Sequence, residues 1–380
     1  MTQQQWGRQG QQGFGGGQWG PPTGQRPVAP QPSSRLQAGP WGPPSQAPGA
    51  GGPWGGQWQQ PSSPLPTPRP PQRGNPVLKV VVAAIVGIIA VALIANVVTD
   101  LVGGQRAQGQ TTQYQQEDYQ VPPPEANPPE LPLPKVEADL DRLTKQNKVY
   151  DSTVPSPTRC EMTEIKLGTA TKTQIKKSMD ELTACLSRVW DPTLEQAGLT
   201  FVRPVSNVYS TSIQSPCGKI PAGNAVYCAA NQQIYLSTTL NQVLPPEVAG
   251  GRFVVETVIA HEVGHAVQYR TGIGAAASYE IQNLPKAESL EVNRRLEVQA
   301  DCFAGLFLES VAQSRGMSQT DLANIRTLMV AIGDDTLSGK PAVVGNHGHG
   351  SSRQYWAEMG LASTKVGACN TFVAPATLVK

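Results

Sequence analysis

The sequence predicts an α+β domain over residues 136–380, and three observations carry the prediction. Short β-prone runs crowd between residues 200 and 240: Phe201-Val202, Val208-Tyr209, Ala225-Val226-Tyr227 and Gln233-Ile234-Tyr235-Leu236, broken by Pro and Gly. Long stretches of helical period flank them. About 240 residues is enough chain for one sizeable core. Strands followed by several helices favour segregated layers over alternating βαβ units.

The chain before this domain has a different character. Residues 1–79 are dominated by Gly, Pro, Gln and Trp and contain no Asp or Glu; their only charges are Arg8, Arg26, Arg35, Arg69, Arg73 and Lys79. So few aliphatic residues cannot offset the entropy of ordering the segment, and a disordered tail is expected. Five of the seven tryptophans lie in it (Trp6, Trp19, Trp41, Trp54, Trp58), as stickers for a partner or simply as part of a solubilising tail. What such a tail would bind is not written in its composition. Val80–Ala95 is apolar apart from Gly87, and Val97-Val98 extend the run. About 19 residues make roughly 28 Å of helix, close to the hydrocarbon thickness of a bilayer, so a transmembrane helix is expected over residues 80–102. The formal charge of +2 divides into +6 on the tail and −4 beyond it. Positive charge stays inside, which makes the tail cytoplasmic and the C-terminal part extracytoplasmic. The tail cations are too dispersed for a nucleic-acid patch, and no nucleic-acid partner is expected.

All six cysteines (Cys160, Cys185, Cys217, Cys228, Cys302, Cys369) follow the predicted span. No C-x-x-C pair exists to suggest a thiolate metal site, so an even set on the outer side reads as three disulfides. Cys217 and Cys228 enclose a hairpin-sized loop with Pro221 and Gly223 and are expected to pair. The other four allow three pairings, of which we put forward Cys160–Cys185 with Cys302–Cys369; the latter would pin the C-terminus to the helix carrying Glu297.

Residues 103–135 are rich in Gln and Pro and are expected to form an extended linker holding the domain off the membrane. Helical patterns follow over 137–147 and over 171–190, where Ile175, Met179, Leu182 and Leu186 share one face. After the β-prone region come Phe253–Tyr269, closed by Gly272, then Ala287–Ser314 with Gly316 beyond it. A last helix runs from Ser318, an N-cap residue, to near Gly333.

The chemistry sits in His261-Glu262-Val263-Gly264-His265. Residues i and i+4 of a helix share a face, so both imidazoles can point at one metal ion. Zinc so held brings a water to a pKa of about 7, and the carboxylate beside the first ligand takes its proton. With only four histidines in the chain, two surface residues falling in this pattern by chance is the weaker reading. Catalytic zinc normally takes three protein ligands. Glu297, 32 residues after His265 and leading into an apolar stretch, is the candidate third ligand, with Glu288 and Glu291 as competitors. Asp301 lies at i+4 from Glu297 and could accept the second ring N–H of a ligand histidine. The remaining pair, His347 and His349, lies in a Gly-rich segment. Either could donate to an oxyanion; an ordinary surface loop is the alternative.

Several ordered motifs together resemble the bacterial family titled Putative neutral zinc metallopeptidase. They are Cys217-Gly218 with Tyr227-Cys228, Ile234-Tyr235-Leu236, the His261–His265 element, Glu297-Val298-Gln299-Ala300-Asp301-Cys302-Phe303-Ala304-Gly305, His349-Gly350-Ser351-Ser352 with Arg353, and Cys369-Asn370-Thr371-Phe372. The resemblance spans residues 200–375. It implies a zincin-like fold with Glu297 as third zinc ligand, and it favours His349 over His347 as the catalytic histidine beside Glu262. Ala229-Ala230-Asn231 departs from the family's usual Pro and Asp, and Tyr355-Trp356 sits closer to Arg353 than in relatives. The tail and span lie outside the resemblance; in composition they are similar to actinobacterial envelope proteins.

The expectation is therefore a single-span protein with an extracytoplasmic zinc peptidase domain acting on a peptide or protein. The segment Gln232–Leu240 is the expected edge strand for an extended substrate. The alternative is a catalytically silent scaffold of the cell envelope, which an intact Glu262 disfavours. Neither the substrate nor the cleavage specificity is legible.

Overall fold

The computed structural model describes residues 113–380. The predicted tail and transmembrane helix lie outside the described residues; among those described, no helix is long and apolar enough to cross a membrane.

The domain is α+β, with its helices built around a long buried pair. Helix α1 is Ala138–Lys145 and α2 is Lys172–Gln196. Thr171 caps α2 with a reciprocal capping box to Gln174. This helix runs six residues past the predicted end and through Pro192. A proline inside a helix costs about 3 kcal/mol. The burial of Val189, Trp190 and Leu194 around it, with the Trp190 ring tilted at 60° against Phe303 at 5.2 Å, offsets that cost.

The strands are β1 Ser206–Tyr209, β2 Ile213–Ser215, β3 Gly218–Ile220, β4 Ala225–Cys228 and β5 Gln233–Ser237. Phe201-Val202 forms no strand. β2 and β3 make a hairpin, and the other three form a sheet in the order β1-β5-β4. Strand β5 is central, parallel to β1 and antiparallel to β4. This corrects the expectation that Gln232–Leu240 is an edge. Its residues are buried on both faces and carry a ladder on each side, which periodicity in one strand cannot reveal.

Short α3 (Pro246–Ala249) leads to α4, Val254–Arg270. Helix α4 is buried almost all round, so it is a core helix without a solvent stripe. Phe253 enters it with φ +66°, a left-handed conformation that is strained for a bulky residue; burial and the Arg252 guanidinium 4.8 Å from its ring hold it there. Helix α5 (Ile273–Asn283), absent from the sequence reading, starts directly after left-handed Gly272. Then come α6 (Lys286–Val311), α7 (Gln319–Ala331, capped by Ser318 and Asp321), α8 (Asp334–Ser338) and α9 (Gly350–Leu361).

Two glycine contacts set the helix crossings. A Cβ on Gly264 would sit 3.0 Å from the Ala300 backbone, so α4 and α6 meet there with no side chain between them. A Cβ on Gly305 would lie 2.3 Å from the Ala357 carbonyl, which brings α9 equally close to the other side of α6. Helix α6 is thereby clamped between the helix carrying His261 and the helix carrying Arg353.

The expected free linker is in part a strap. Residues 113–135 lie along the domain, with Gln115 bridged to Thr158 and Glu125 to Pro204. Arg188 donates to the Gln116 carbonyl at 2.6 Å, Arg203 to Pro122 at 2.9 Å, and Gln232 and Arg270 to Pro129 at 2.8 and 3.1 Å. Proline-rich chain makes no internal ladder, so its carbonyls are available to these side-chain donors.

All six cysteines pair, as Cys160–Cys185, Cys217–Cys228 and Cys302–Cys369. Three disulfides suggest an extracytoplasmic domain, since such bonds persist in oxidising compartments.

Candidate metal centre

The close α4–α6 crossing at Gly264 and Ala300 sets Glu297, one turn earlier on α6, against the two histidines of α4. Glu297 Oε2 is 3.4 Å from His261 Nε2 and 3.6 Å from His265 Nε2. One donor atom from each of His261, His265 and Glu297 lies within 4.8 Å of the others. The competitors lie elsewhere: Glu288 is exposed, and Glu291 pairs with Arg295 at 2.8 Å.

Each imidazole is held through its far nitrogen. His261 Nδ1 lies 2.8 Å from Asp301 Oδ1. Asp301 is fully buried and gripped by Arg353, whose Nη2 and Nε donate at 2.8 and 3.0 Å. Burial alone would raise the Asp301 pKa, but Arg353 and His261 outweigh it and hold the carboxyl below its usual range. His265 Nδ1 bonds instead to the Gln268 carbonyl oxygen at 2.8 Å. With both Nδ1 atoms occupied, both Nε2 atoms converge on Glu297.

Glu297 is buried, which opposes its ionisation, yet the two histidines lower its pKa well below the carboxylate norm. Burial likewise opposes charge on His261, but Asp301 and Glu297 win and raise its pKa to about 10. The geometry, with donor atoms of two imidazoles and one carboxylate within 4.8 Å of one another, is that of a cation site. Two imidazole nitrogens and one carboxylate oxygen make a donor set that fits zinc.

Glu262 stands beside this set without belonging to it. Its Oε2 accepts from the backbone N–H of Tyr227, in β4, at 2.6 Å. Strand β4 thus orients the carboxylate, and the Tyr227 N–H faces α4 instead of β5.

In the Gly-rich segment the two histidines have different partners. His349 is the N-cap of α9, and its Nε2 is 2.7 Å from the Val343 carbonyl, so its ring is committed to the loop. His347 feels the charge of Glu297. Burial disfavours its charged form, but the bond to Asp334, 3.3 Å from Nδ1, and the charges of Glu297 and Asp334 raise its pKa. Asp334 also accepts from the His347 and Gly348 backbone N–H groups at 2.8 and 3.0 Å, which fixes the loop. Gln268, Arg353, Tyr227 and Asp334 had no role in the sequence reading. Only Gln268, at i+3 from His265, was within reach of a helical-spacing argument.

Comparison with known proteins agrees with the geometry. The family titled Putative neutral zinc metallopeptidase matches residues 137–372. The protein titled Uncharacterized protein YpfJ of Escherichia coli K12 is 33% identical over 193 residues, covering 48% of this chain and 66% of that one. Uncharacterized protein Rv2575 of Mycobacterium tuberculosis H37Rv is 31% identical over 206 residues, covering 49% of this chain and 67% of that one. The chain therefore spans just under two thirds of the length of the first of these relatives. No solved structure matches. With the match running over more than half of its length and the His261–His265–Glu297 cluster in place, this chain belongs to the Putative neutral zinc metallopeptidase family.

Proposed function

We propose that the domain is a zinc-dependent peptidase that hydrolyses peptide bonds, held at the outer face of a membrane by residues 80–102. The observation that carries this is Glu262: a buried carboxylate next to three metal-type donors, yet bonded to backbone and not part of the donor set. A zinc site that only supports structure has no use for such a group and is closed by a fourth ligand. When bound by His261, His265 and Glu297, zinc supplies the Lewis acidity that makes a water nucleophilic near neutral pH.

The chain's own groups account for the remaining steps. Glu262, turned by the Tyr227 N–H, takes the proton of the attacking water and passes it to the leaving amine. His347 holds its Nδ1 on Asp334, which leaves Nε2 as the nitrogen that donates to the oxyanion when the ring is protonated. Asp301, held by Arg353, keeps His261 in one tautomer. An extended substrate pairs along β4, which has β5 as its single strand partner among the described residues and which touches Glu262.

The test is Glu262→Gln beside alanine variants of the three donors. Gln keeps the size and cannot take the proton, so that variant retains zinc while peptide hydrolysis falls by ~10² to 10⁴. His261→Ala, His265→Ala and Glu297→Ala lose the metal. Zinc-loaded, oxidised wild-type protein that cleaves nothing in a broad peptide library, and that behaves like Glu262→Gln in every assay, would leave the silent-scaffold reading in its place.

A further inference from the structure

The two histidines of the centre are held by partners of different kinds, and the second set is a closed chain of amides. Gln268 and Gln299 are both fully buried. The Gln299 amide nitrogen donates to the Cys369 carbonyl at 3.0 Å and to the Tyr150 hydroxyl at 2.9 Å. Tyr150 has its own proton on the Thr144 carbonyl at 2.8 Å, so toward Gln299 it is an acceptor. Both N–H groups of Gln299 are therefore used, and its oxygen is left to accept. It accepts from the Gln268 amide nitrogen at 3.1 Å, whose other proton goes to the Leu296 carbonyl at 2.7 Å. Gln268 has then spent both of its protons and presents an oxygen to His265 Nδ1. A side-chain amide offers two donors and one accepting oxygen, so the count closes in one direction only.

From this we infer that Gln268 and Gln299 are positioning residues that fix His265 as its Nδ1–H tautomer, with the direction set by the backbone carbonyls of Cys369 and Leu296. His265 Nε2 is then left as a lone pair aimed at Glu297. Gln299 acts without touching the ligand: remove it, and Gln268 keeps only the Leu296 carbonyl to hold its NH₂ away from Nδ1, so the turned-over amide, which favours the wrong tautomer, becomes more populated. The Cys302–Cys369 disulfide joins the far end of this chain to α6, the helix that carries Glu297 and Gln299. This inference rests on the reading of His265 as a zinc ligand.

The experiment measures zinc dissociation constants on the full chain by competition with a chromogenic chelator, for the wild type and for Gln268→Leu, Gln268→Glu and Gln299→Leu. The melting temperature of each zinc-free protein is recorded alongside. Gln268→Leu is expected to weaken zinc ~10- to 100-fold, the scale for losing a group that orients a metal ligand. Gln268→Glu keeps an acceptor facing Nδ1 but sets its other oxygen against the Leu296 carbonyl and Gln299 Oε1, so it is expected to recover only part of that loss. Gln299→Leu is expected to weaken zinc by a smaller factor. Its zinc-free imidazole ¹H–¹⁵N spectrum at pH 8 should show His265 divided between tautomers where the wild type shows Nδ1–H alone. If the wild type itself binds no zinc, the reading of the centre fails. If the wild type binds zinc and Gln268→Leu binds it equally well, the inference is overturned. It is overturned equally if Gln299→Leu lowers the melting temperature with zinc affinity and tautomer unchanged. Should Gln268→Leu fail to fold, Gln299→Leu and the spectrum decide.

Discussion

Arg353→Met tests whether the centre is built from its outer bonds inward. Asp301 is fully buried and Arg353 is 3% exposed, and the two share hydrogen bonds of 2.8 and 3.0 Å. Methionine fills much of the same volume without the charge. It leaves a carboxylate out of water with His261 Nδ1 as its remaining side-chain partner. Breaking one side of a buried ion pair costs about 3–5 kcal/mol. Asp301 escapes part of that by taking up a proton, but a neutral carboxyl no longer holds the His261 N–H as an anion does. Zinc affinity should then fall by ~10- to 100-fold, which is roughly 1.4–2.7 kcal/mol. The two losses separate in urea unfolding followed with zinc and with a chelator: the chelated protein reports the ion pair, and the difference reports the metal. Acid unfolding adds a sign. The native pKa of Asp301 is depressed, so its stabilisation is present above about pH 4 and is lost as pH falls through the lowered native value. Without Arg353 that loss begins at higher pH. The double variant Asp301→Leu, Arg353→Met should regain stability in chelator without regaining zinc affinity. The reasoning is refuted if Arg353→Met loses less than about 1 kcal/mol in chelator, a cost typical of an exposed pair, and binds zinc normally.

Other outcomes follow from the same geometry. Asp334→Asn removes the charge that keeps His347 protonated, so the alkaline limb of kcat/KM should move to lower pH, measured as a pH–rate profile with zinc saturating. Gly264→Ala places a methyl 3.0 Å from the Ala300 backbone and should push α4 and α6 apart; chelated protein should lose ~1–3 kcal/mol in urea unfolding, and zinc affinity should fall with it. Replacing Cys302 and Cys369 by Ser opens a link with a sequence separation of 67, and denaturant unfolding should show a loss of about 4 kcal/mol.

The sequence alone was enough wherever the information is local. His261 and His265 need only a helix between them to share a face, and Ile259, Val263, Ala266 and Val267 around them mark that helix for burial. The Cys217–Cys228 link is likewise short-range, and Thr171 and Ser318 cap the helices that follow them. What depends on contacts far apart in the chain had to wait for the tertiary structure. Among Glu288, Glu291 and Glu297, the residue that reaches the histidines is decided by where Gly264 lets α6 cross α4. His347 and His349, two residues apart, take different partners because of Asp334 and the start of α9, neither of which the Gly-rich segment announces. Strand order has the same origin: β5, expected at an edge from its place before α4, acquires a neighbour on each side, one parallel and one antiparallel. The proline-rich segment before α1 reads as a spacer because it lacks hydrogen-bonding partners of its own. It becomes part of the domain because Arg188, Arg203 and Arg270 supply them from elements that follow it in the chain.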